Sequence, residues 1–480
     1  MSTGAVRVRF APSPTGFMHI GNVSSALLNY LFARQKKGTF ILRIEDTDAQ
    51  RNLDPLGKHI IQDLLWLKLT YDEGPEVGGP YTPYIQSQRM PIYQTHLEKL
   101  NEKKAIYRCF CTVEELEKKR KRQIALKLPP RYDRTCLNVS PAEVEIKLIN
   151  KIPFIWRFKL PDEQVTIHDL ARGNITYDLK HFADFPLTRQ DGSFTFIFAN
   201  FVDDLTMHIT HIFRGEDHLS NTALQAALYN TFQAPIPIFW HLPLICNKDG
   251  KKLSKRDFGF SLNDLRAAGF LPEAINNYLA LLGGGTFENE IMSLEELTKA
   301  LNFEKIAASS GHIKYDIERL RWINHKWIVR LDIPDLMERC LPFLEKEYVQ
   351  IQDMPKPKLA HLIELLRTDF VTLADCVASL AFYFKTPLIT PELLITYQFE
   401  THKEALQAIQ NILETHQAAE NWTSLIIQYC KTHKIATKDI FTLMRIALIG
   451  SPQGPGMKEI IEILQTDEVL KRLKNLLSLA

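Results

Sequence analysis

Between Ala5 and Ile44 the apolar positions change period twice. Val6, Val8 and Phe10 alternate with Ala5, Arg7 and Arg9, a period of two that predicts a β-strand. Val23, Ala26, Leu27, Tyr30 and Leu31 then recur at helical spacing, and Gly38 supplies a stop signal. "TFILRI" (Thr39–Ile44) reads as the next strand. This is one strand–helix–strand unit, with "RFAPSPTGFMHIGN" (Arg9–Asn22) forming the loop at the carboxyl end of its first strand. From about Gln86 to Phe196 the pattern differs. A basic helical run, "TVEELEKKRKRQIALK", precedes strand-like pieces such as "FIWRFKL", and the segment reads as an insertion splitting the first domain. Nucleotide-fold patterning resumes at "FVDDLTMHITHIFRGED", with a strand over Ile209–Phe213, and "KKLSKRDF" falls on a loop near residue 254. After about Leu262 nearly every segment has helical spacing, broken mainly by the Gly/Pro-rich "IGSPQGPG" (Ile449–Gly456). No internal repeat or low-complexity tract is evident.

The chain has 480 residues, which is too many for one core and predicts three or more structural units. It is 45% hydrophobic and 24% charged, ordinary for a soluble protein. A formal net charge of +2 means that any nucleic-acid contact must use a local basic surface. Seven sparsely spaced cysteines do not make a disulfide framework. No apolar run approaches the ~18 residues of a membrane span, and the first residues lack a signal-peptide core, so a cytoplasmic protein without membrane contact is expected.

The Arg9–Asn22 loop carries more chemistry than a connector needs. Loops that leave a parallel strand and enter a helix are where α/β sheets bind nucleotides. Gly16 and Gly21 let backbone approach a ligand, Pro12 and Pro14 stiffen the path, and His19 and Asn22 offer donors near the helix start. On its own the loop is also readable, less readily, as a rigid connector with an incidental histidine. A second cluster changes that balance: Lys252 and Lys255 flank Leu253-Ser254, and two ammonium groups on one loop suit a triphosphate that sheds pyrophosphate. Taken alone, such a run is more often a solvated charged surface.

Together these stretches carry a resemblance. "PSPTGFMHIGN" resembles the HIGH element of class I aminoacyl-tRNA synthetases, and "KLSKR" resembles their KMSKS element. "RFAPSPTG", "RIEDTD" (Arg43–Asp48), "FVDD" with "RGEDHLSNT" (Arg214–Thr222), "ERLRWIN" (Glu318–Asn324) and "RIALIGSPQGPG" (Arg445–Gly456) are similar, in order and spacing, to the bacterial glutamyl-tRNA synthetase family. The resemblance implies that glutamate attacks the α-phosphate of ATP and that tRNA then takes the glutamyl group on its 3′-terminal adenosine. It implies roles for His19, Asn22, Lys252 and Lys255 in catalysis, and for Thr15, Gly16, His19, Gly21 and Lys255 in holding ATP with Mg²⁺. For glutamate it implies Arg9, Ala11, Ser13, Glu45, Phe196, Asn200 and Arg214, with Arg9 as the fork for the side-chain carboxylate and Glu45 facing the α-ammonium group. Without the family, Glu45 reads as a loop carboxylate and Arg214 as an ion pair with Glu216 or Asp217. Phe196 departs from the family's usual tyrosine and loses a hydroxyl, and Asn22 replaces the second histidine of HIGH.

Cys109, Cys111 and Cys136 bracket the start of the insertion, and thiolates at both ends of a loop suit tetrahedral Zn²⁺. Some relatives pair C-x-C with C-x-H or Y-x-x-x-C. Asn138 breaks the first version here, while Tyr132 keeps the second, which makes Tyr132 the fourth ligand; three reduced thiols without metal is the alternative. The implied fold class is an α/β Rossmann-type class I synthetase catalytic domain with an inserted acceptor-binding domain, followed by an all-α anticodon-binding half. Its boundaries fall at 1–88 and 197–255 (catalytic), 89–196 (insertion), 256–330 (connecting helices) and 331–480 (anticodon, divided near 382). The partners implied are glutamate and tRNA(Glu), with tRNA(Gln) open as a second acceptor, and the protein is expected to be a monomer. Three rivals stand against this. They are a glutamyl-queuosine tRNA-modifying relative, which lacks the helical half; a glutaminyl-tRNA synthetase, whose anticodon part is β-rich; and a non-catalytic tRNA-binding paralogue, which only Phe196 favours.

Lys255→Ala is expected to leave the fold intact and to slow adenylate formation by the ~2–4 kcal/mol that one preorganised charge contributes to an activated complex. ATP–pyrophosphate exchange beside a thermal melt checks it; wild-type exchange with an unchanged midpoint refutes it.

Overall fold

The computed structural model describes residues 5–47, 52–54, 56–254, 257–283, 287, 289–303, 313–416 and 419–479. They form two compact units, one of residues 1–265 with 275–317, the other of 266–274 with 318–480.

In the first unit, β1 (Arg7–Phe10), α1 (Ile20–Gln35) and β2 (Thr39–Leu42) make the expected unit, with β1 and β2 parallel and Phe10 beside Leu42. The alternation in β1 predicts one polar face, yet Val8, Arg9 and Phe10 are all buried. A parallel sheet is covered on both faces, so a polar residue inside it must find a partner there. After α2 (Lys58–Trp66) and α3 (Met90–Glu102), a three-stranded antiparallel sheet forms from β3 (Ile106–Cys109), β4 (Ile155–Phe158) and, past the hairpin of β5 (Gln164–Asp169) and β6 (Gly173–Asp178), β7 (Phe185–Pro186). The helices between β3 and β4, α4 (Val113–Ala125) and α5 (Pro141–Ile149), contain no buried residue. Reciprocal caps hold their starts, Thr112 with Glu115 and Ser140 with Glu143.

α6 (Phe196–Thr206), β8 (His211–Gly215), α7 (Leu219–Phe232) and β9 (Ile238–Leu242) then complete the nucleotide-fold layer. Its main sheet has the order β6-β5-β9-β8, with β8 and β9 parallel. The strand predicted at 209–213 starts two residues later, at His211, because Thr210 turns its N–H onto the Arg7 carbonyl and so ties β8 to β1. The hairpin of β5 and β6 comes from the segment read as an insertion, but β5 pairs with β9 at Asp169 and Phe239. Val165 and Ile167 share a buried cluster with Phe198, Phe201, Ile212, Leu228 and Phe239. A short parallel pair joins β10 (Ile245–Cys246) to β11 (Ile313–Lys314), and β11 is an exception to the helical reading after Leu262.

The second unit is helical, with helices over Ile333–Glu347, Lys356–Leu366, Asp375–Phe384, Phe399–Thr415, Trp422–His433, Thr437–Ile449 and Met457–Ser478. Gly450, at φ +75°, ends the helix before "IGSPQGPG" in the left-handed conformation that favours glycine. No helix among the described residues is long and apolar enough to cross a membrane.

Candidate active site

A cavity of about 760 Å³ opens at the carboxyl ends of β1, β8 and β9. Thr15, Gly16, His19, Gly21, Asn22 and Lys252 line it, and so do Arg9, Ala11, Ser13, Glu45, Phe196, Asn200 and Arg214. Every described residue named above for ATP or glutamate therefore meets in one space. Lys255, and Asp48 of "RIEDTD", lie outside the described residues.

The loop entering α1 is shaped by its own side chains. His19 is the N-cap: its Nδ1 accepts from the Asn22 N–H at 3.2 Å, and Asn22 Oδ1 accepts from the His19 N–H at 3.4 Å. A ring that accepts at Nδ1 carries its proton on Nε2, so the cap leaves one donor free to turn elsewhere. Burial lowers the His19 pKa, and Lys252 lowers it further, which keeps the ring neutral near pH 7. Gly16 sits at φ +142°, and a Cβ on Gly21 would come within 3.1 Å of the His19 ring. The signature loop is folded back by Asp257, which accepts from the Ser254 N–H and hydroxyl at 2.9 Å. Lys252 pairs with Asp217 at 3.2 Å, an exposed contact that a stronger anion can displace.

The floor of the cavity is ionic. Arg43 is fully buried and reaches three carboxylates: Glu45 at 2.8 Å, Asp204 at 2.7 Å and Asp203 at 3.7 Å. Arg9 grips Asp204 with Nε at 3.0 Å and Nη2 at 3.3 Å, and Arg89 meets Asp203 at 2.6 Å. Three guanidiniums thus face three carboxylates from β1, the segment just after β2, α6 and the start of α3. Burial works against the charge on Asp204, but Arg9 and Arg43 outweigh it and hold its pKa below the usual range. For Glu45 burial wins and raises the pKa, with Arg43 opposing. The hydrogen bonds to Glu45 among the described residues, from Arg43, Gln86 and Asn200, all fall on Oε1. Glu45 is accordingly no loose loop carboxylate.

Arg214 is built differently. It is buried, and no carboxylate among the described residues pairs with it directly: Glu216 binds Arg172 and Asp217 binds Lys252. Its Nη1 donates to Gln225 Oε1 at 2.7 Å, its Nη2 to Thr222 Oγ1 at 2.5 Å, and its Nε has no hydrogen-bond partner among the described residues. The guanidinium lies 5.2 Å from the Phe239 ring centre. Desolvation and the neighbouring Arg9 push its pKa down to about 10. Phe196 lies against His218 at 5.6 Å between ring centres, where a tyrosine would add a hydroxyl. His218 and Thr222 lie inside "RGEDHLSNT" with no local signal of a role; His241 and Gln225 carried no signal beyond being polar residues in apolar stretches.

The three thiols predicted to bind metal do converge. Sγ atoms of Cys109, Cys111 and Cys136 lie within 4.8 Å of one another, and Cys111 and Cys136 are 3.5 Å apart. The Tyr132 hydroxyl lies 3.3 Å from Cys109 Sγ and 3.9 Å from Cys111 Sγ. Thiols at this spacing suit a tetrahedral soft-metal site, whose sulfur–sulfur edges are about 3.8 Å.

A nucleotide-type sheet with a HIGH-like cap, a lysine loop and a helical second unit defines a class I tRNA synthetase. Residues 5–322 match the family model for class I tRNA synthetases (E and Q), catalytic domain, and residues 335–477 match an anticodon binding domain. Glutamate–tRNA ligases from Sulfurihydrogenibium sp. (strain YO3AOP1) and Carboxydothermus hydrogenoformans are 37% and 38% identical, over 98% of this chain and 99% of each relative. The crystal structure of a glutamate tRNA ligase from Elizabethkingia meningosepticum in complex with its amino acid superposes with a TM-score of 0.89 at 30% identity, covering 99% of both chains. The glutamate–tRNA synthetase of Elizabethkingia anophelis is equally similar, at a TM-score of 0.89. The chain belongs to the glutamate–tRNA ligase family of class I synthetases, whose members use ATP.

The two kinds of buried arginine predict stability effects of very different size. Arg43→Met leaves Glu45 without its paired cation and Asp204 with Arg9 alone, and should cost ~3–5 kcal/mol, lowering the thermal midpoint by about 5 °C or more. Arg214→Met removes a charge that already lacks a carboxylate and should shift the midpoint by less than about 2 °C. Scanning calorimetry of both variants without ligands checks the contrast.

Proposed function

We propose that this enzyme activates L-glutamate with ATP and transfers it to the 3′-terminal adenosine of tRNA. The observation that carries the reading is Arg214, a buried guanidinium on the cavity wall without a carboxylate of its own. A site that leaves a cation half-satisfied selects an anionic ligand, and burial strengthens that selection. Arg214 supplies its guanidinium to a substrate carboxylate; Arg9, whose fork is already held by Asp204 through Nε and Nη2, offers only its remaining Nη1, with Ala11, Ser13 and Asn200 shaping the pocket. Glu45, whose Oε1 is occupied, turns its other oxygen to the α-ammonium group. The ring of Phe196 closes the pocket without a hydrogen bond.

ATP lies along the start of α1. Thr15, Gly16 and Gly21 bring backbone to the phosphates, and the helix N-terminus favours their charge. His19, with its proton on Nε2, donates to phosphate oxygen, and Asn22 lies beside it. A carboxylate oxygen of glutamate attacks the α-phosphorus; the bond to pyrophosphate breaks and glutamyl-adenylate remains. Lys252 leaves Asp217 for the triphosphate and, with Lys255, neutralises the leaving charge. Mg²⁺ enters with ATP. A hydroxyl of the terminal adenosine then attacks the acyl carbon and AMP leaves. Positioning and charge stabilisation account for both steps, with no covalent enzyme intermediate. The helical unit grips the anticodon, in keeping with its family match. The segment 89–196 meets the acceptor end.

The site is tested by ATP–pyrophosphate exchange with tRNA present and by charging of purified tRNA(Glu) and tRNA(Gln) separately. Exchange should require glutamate and ignore glutamine, and Arg214→Met should raise the KM for glutamate at least tenfold. Exchange that does not depend on glutamate would refute the assignment. Charging of both tRNAs would mark a non-discriminating enzyme, and of one alone a discriminating one.

Cys109, Cys111 and Cys136, with Tyr132 as fourth ligand, would hold one Zn²⁺ that braces the loop between β3 and α5. Elemental analysis of protein purified without chelator should give one zinc per chain, falling to near zero in Cys111→Ser. A metal-free preparation with full activity would leave three reduced thiols.

A further inference from the structure

The Arg214 guanidinium is held by two hydrogen-bonded arms that run to two carboxylates through neutral groups. In the first, Arg214 Nη2 meets Thr222 Oγ1 at 2.5 Å, Thr222 Oγ1 lies 2.7 Å from His241 Nε2, and His241 Nδ1 lies 2.7 Å from Asp169 Oδ2. In the second, Arg214 Nη1 meets Gln225 Oε1 at 2.7 Å, Gln225 Nε2 meets Asn200 Oδ1 at 2.8 Å, and Asn200 Nδ2 meets Glu45 Oε1 at 2.6 Å. Thr222, Gln225, His241, Asp169 and Asn200 are all buried.

The direction of the protons in these arms follows from their ends and, at Thr222, from the shorter of its two acceptor distances. A guanidinium only donates, and an ionised carboxylate only accepts. Thr222 must therefore receive from Arg214, and it gives its own hydrogen to His241 Nε2 at 2.7 Å, which is closer than its other acceptor, the His218 carbonyl at 3.2 Å. His241 must then be neutral, with its proton on Nδ1 facing Asp169. Burial lowers the His241 pKa, which agrees with the neutral ring. Asp169 is itself fixed by the His241, Ala171 and Arg172 N–H groups at 2.9–3.0 Å. On the other side, Gln225 must present oxygen to Arg214, so its amide nitrogen faces Asn200, whose own nitrogen then faces Glu45. Neither amide can flip without opposing donor to donor. The frame thus fixes Arg214 while withholding a directly paired negative charge from it.

We propose that Thr222, Gln225 and His241 are positioning residues that set specificity for an acidic amino acid, by aiming Arg214 through neutral acceptors and leaving its charge for the substrate. The proposal rests on the glutamate reading of the cavity. It places the choice between glutamate and its amide partly in residues that need not touch either ligand. It also links the two ends of the substrate, because the Gln225 arm joins Arg214 to the carboxylate assigned to the α-ammonium group.

The test is steady-state aminoacylation by the full-length enzyme, with KM measured separately for glutamate, ATP and tRNA, beside calorimetric titration of glutamate alone. Thr222→Val keeps the shape and removes the hydroxyl, so its KM for glutamate should rise at least about tenfold, the scale of a lost hydrogen bond to a charged group. The KM values for ATP and tRNA should stay within about twofold, and Thr222→Ser should restore most of the loss. Gln225→Glu keeps the shape but gives Arg214 a carboxylate, and should likewise raise the KM for glutamate, whether or not Thr222→Val folds well. If wild type and both variants bind glutamate alike, the frame is refuted and the glutamate site stands. Equal rises in all three KM values, or no rescue by serine, would also refute it by showing a merely structural role. If the wild type neither binds nor charges glutamate, the reading of the cavity itself fails.

Discussion

Arg43 is the side chain on which the first unit turns. It stands one residue past β2, fully buried, between Glu45 and the paired aspartates of α6. A buried guanidinium is costly unless several acceptors surround it, and so are the carboxylates it serves. Their mutual need joins the end of β2 to α6, and Arg9 and Arg89 extend the join to β1 and α3. Such a lattice contributes little net stability compared with apolar packing, but it tolerates few alternative arrangements. That is useful below a cavity, where one displaced carboxylate would spoil the geometry above it.

Cost and function separate cleanly among these arginines. Arg9, Arg43 and Arg89 are matched by carboxylates and fix the frame. Arg214 is matched only by dipoles, and remains an unfinished electrostatic interaction. Unfinished interactions at concave sites are what ligands complete, and here the missing part is a negative charge. The neutral His19 follows a similar division of labour on the nucleotide side, with one ring nitrogen capping α1 and the other free.

Much of this was readable before the structure. Periodicity identified β1, α1 and β2 to within a few residues, because that unit is local and its loop chemistry is distinctive. The "KLSKR" loop and the cysteine cluster were readable as residue types at close spacing. What escaped the sequence was long-range pairing. Alternation placed Arg9 on a polar face, since nothing local announces that Asp204, 195 residues away, will meet it. Read without the family resemblance, Arg214 looks like an ion pair with Glu216 or Asp217, but the tight turn after β8 sends those carboxylates to Arg172 and Lys252. Gln225 and His241 stayed invisible because a buried polar side chain within an apolar run has no pattern of its own.

The β5–β6 hairpin changes how the interruption of the first domain should be understood. In sequence it belongs to the segment that separates the two halves of the nucleotide fold. In space β5 shields the edge of β9 and carries Asp169 to His241. The interruption is therefore not a cassette. Cutting it out and rejoining the flanks would bare the backbone of an interior strand, which is a template for aggregation, and would unseat a histidine on the cavity wall. Gene fusions or minimal catalytic fragments drawn from this chain would have to retain Gln164–Asp178 even where the solvent-facing helices of the same segment are dispensable.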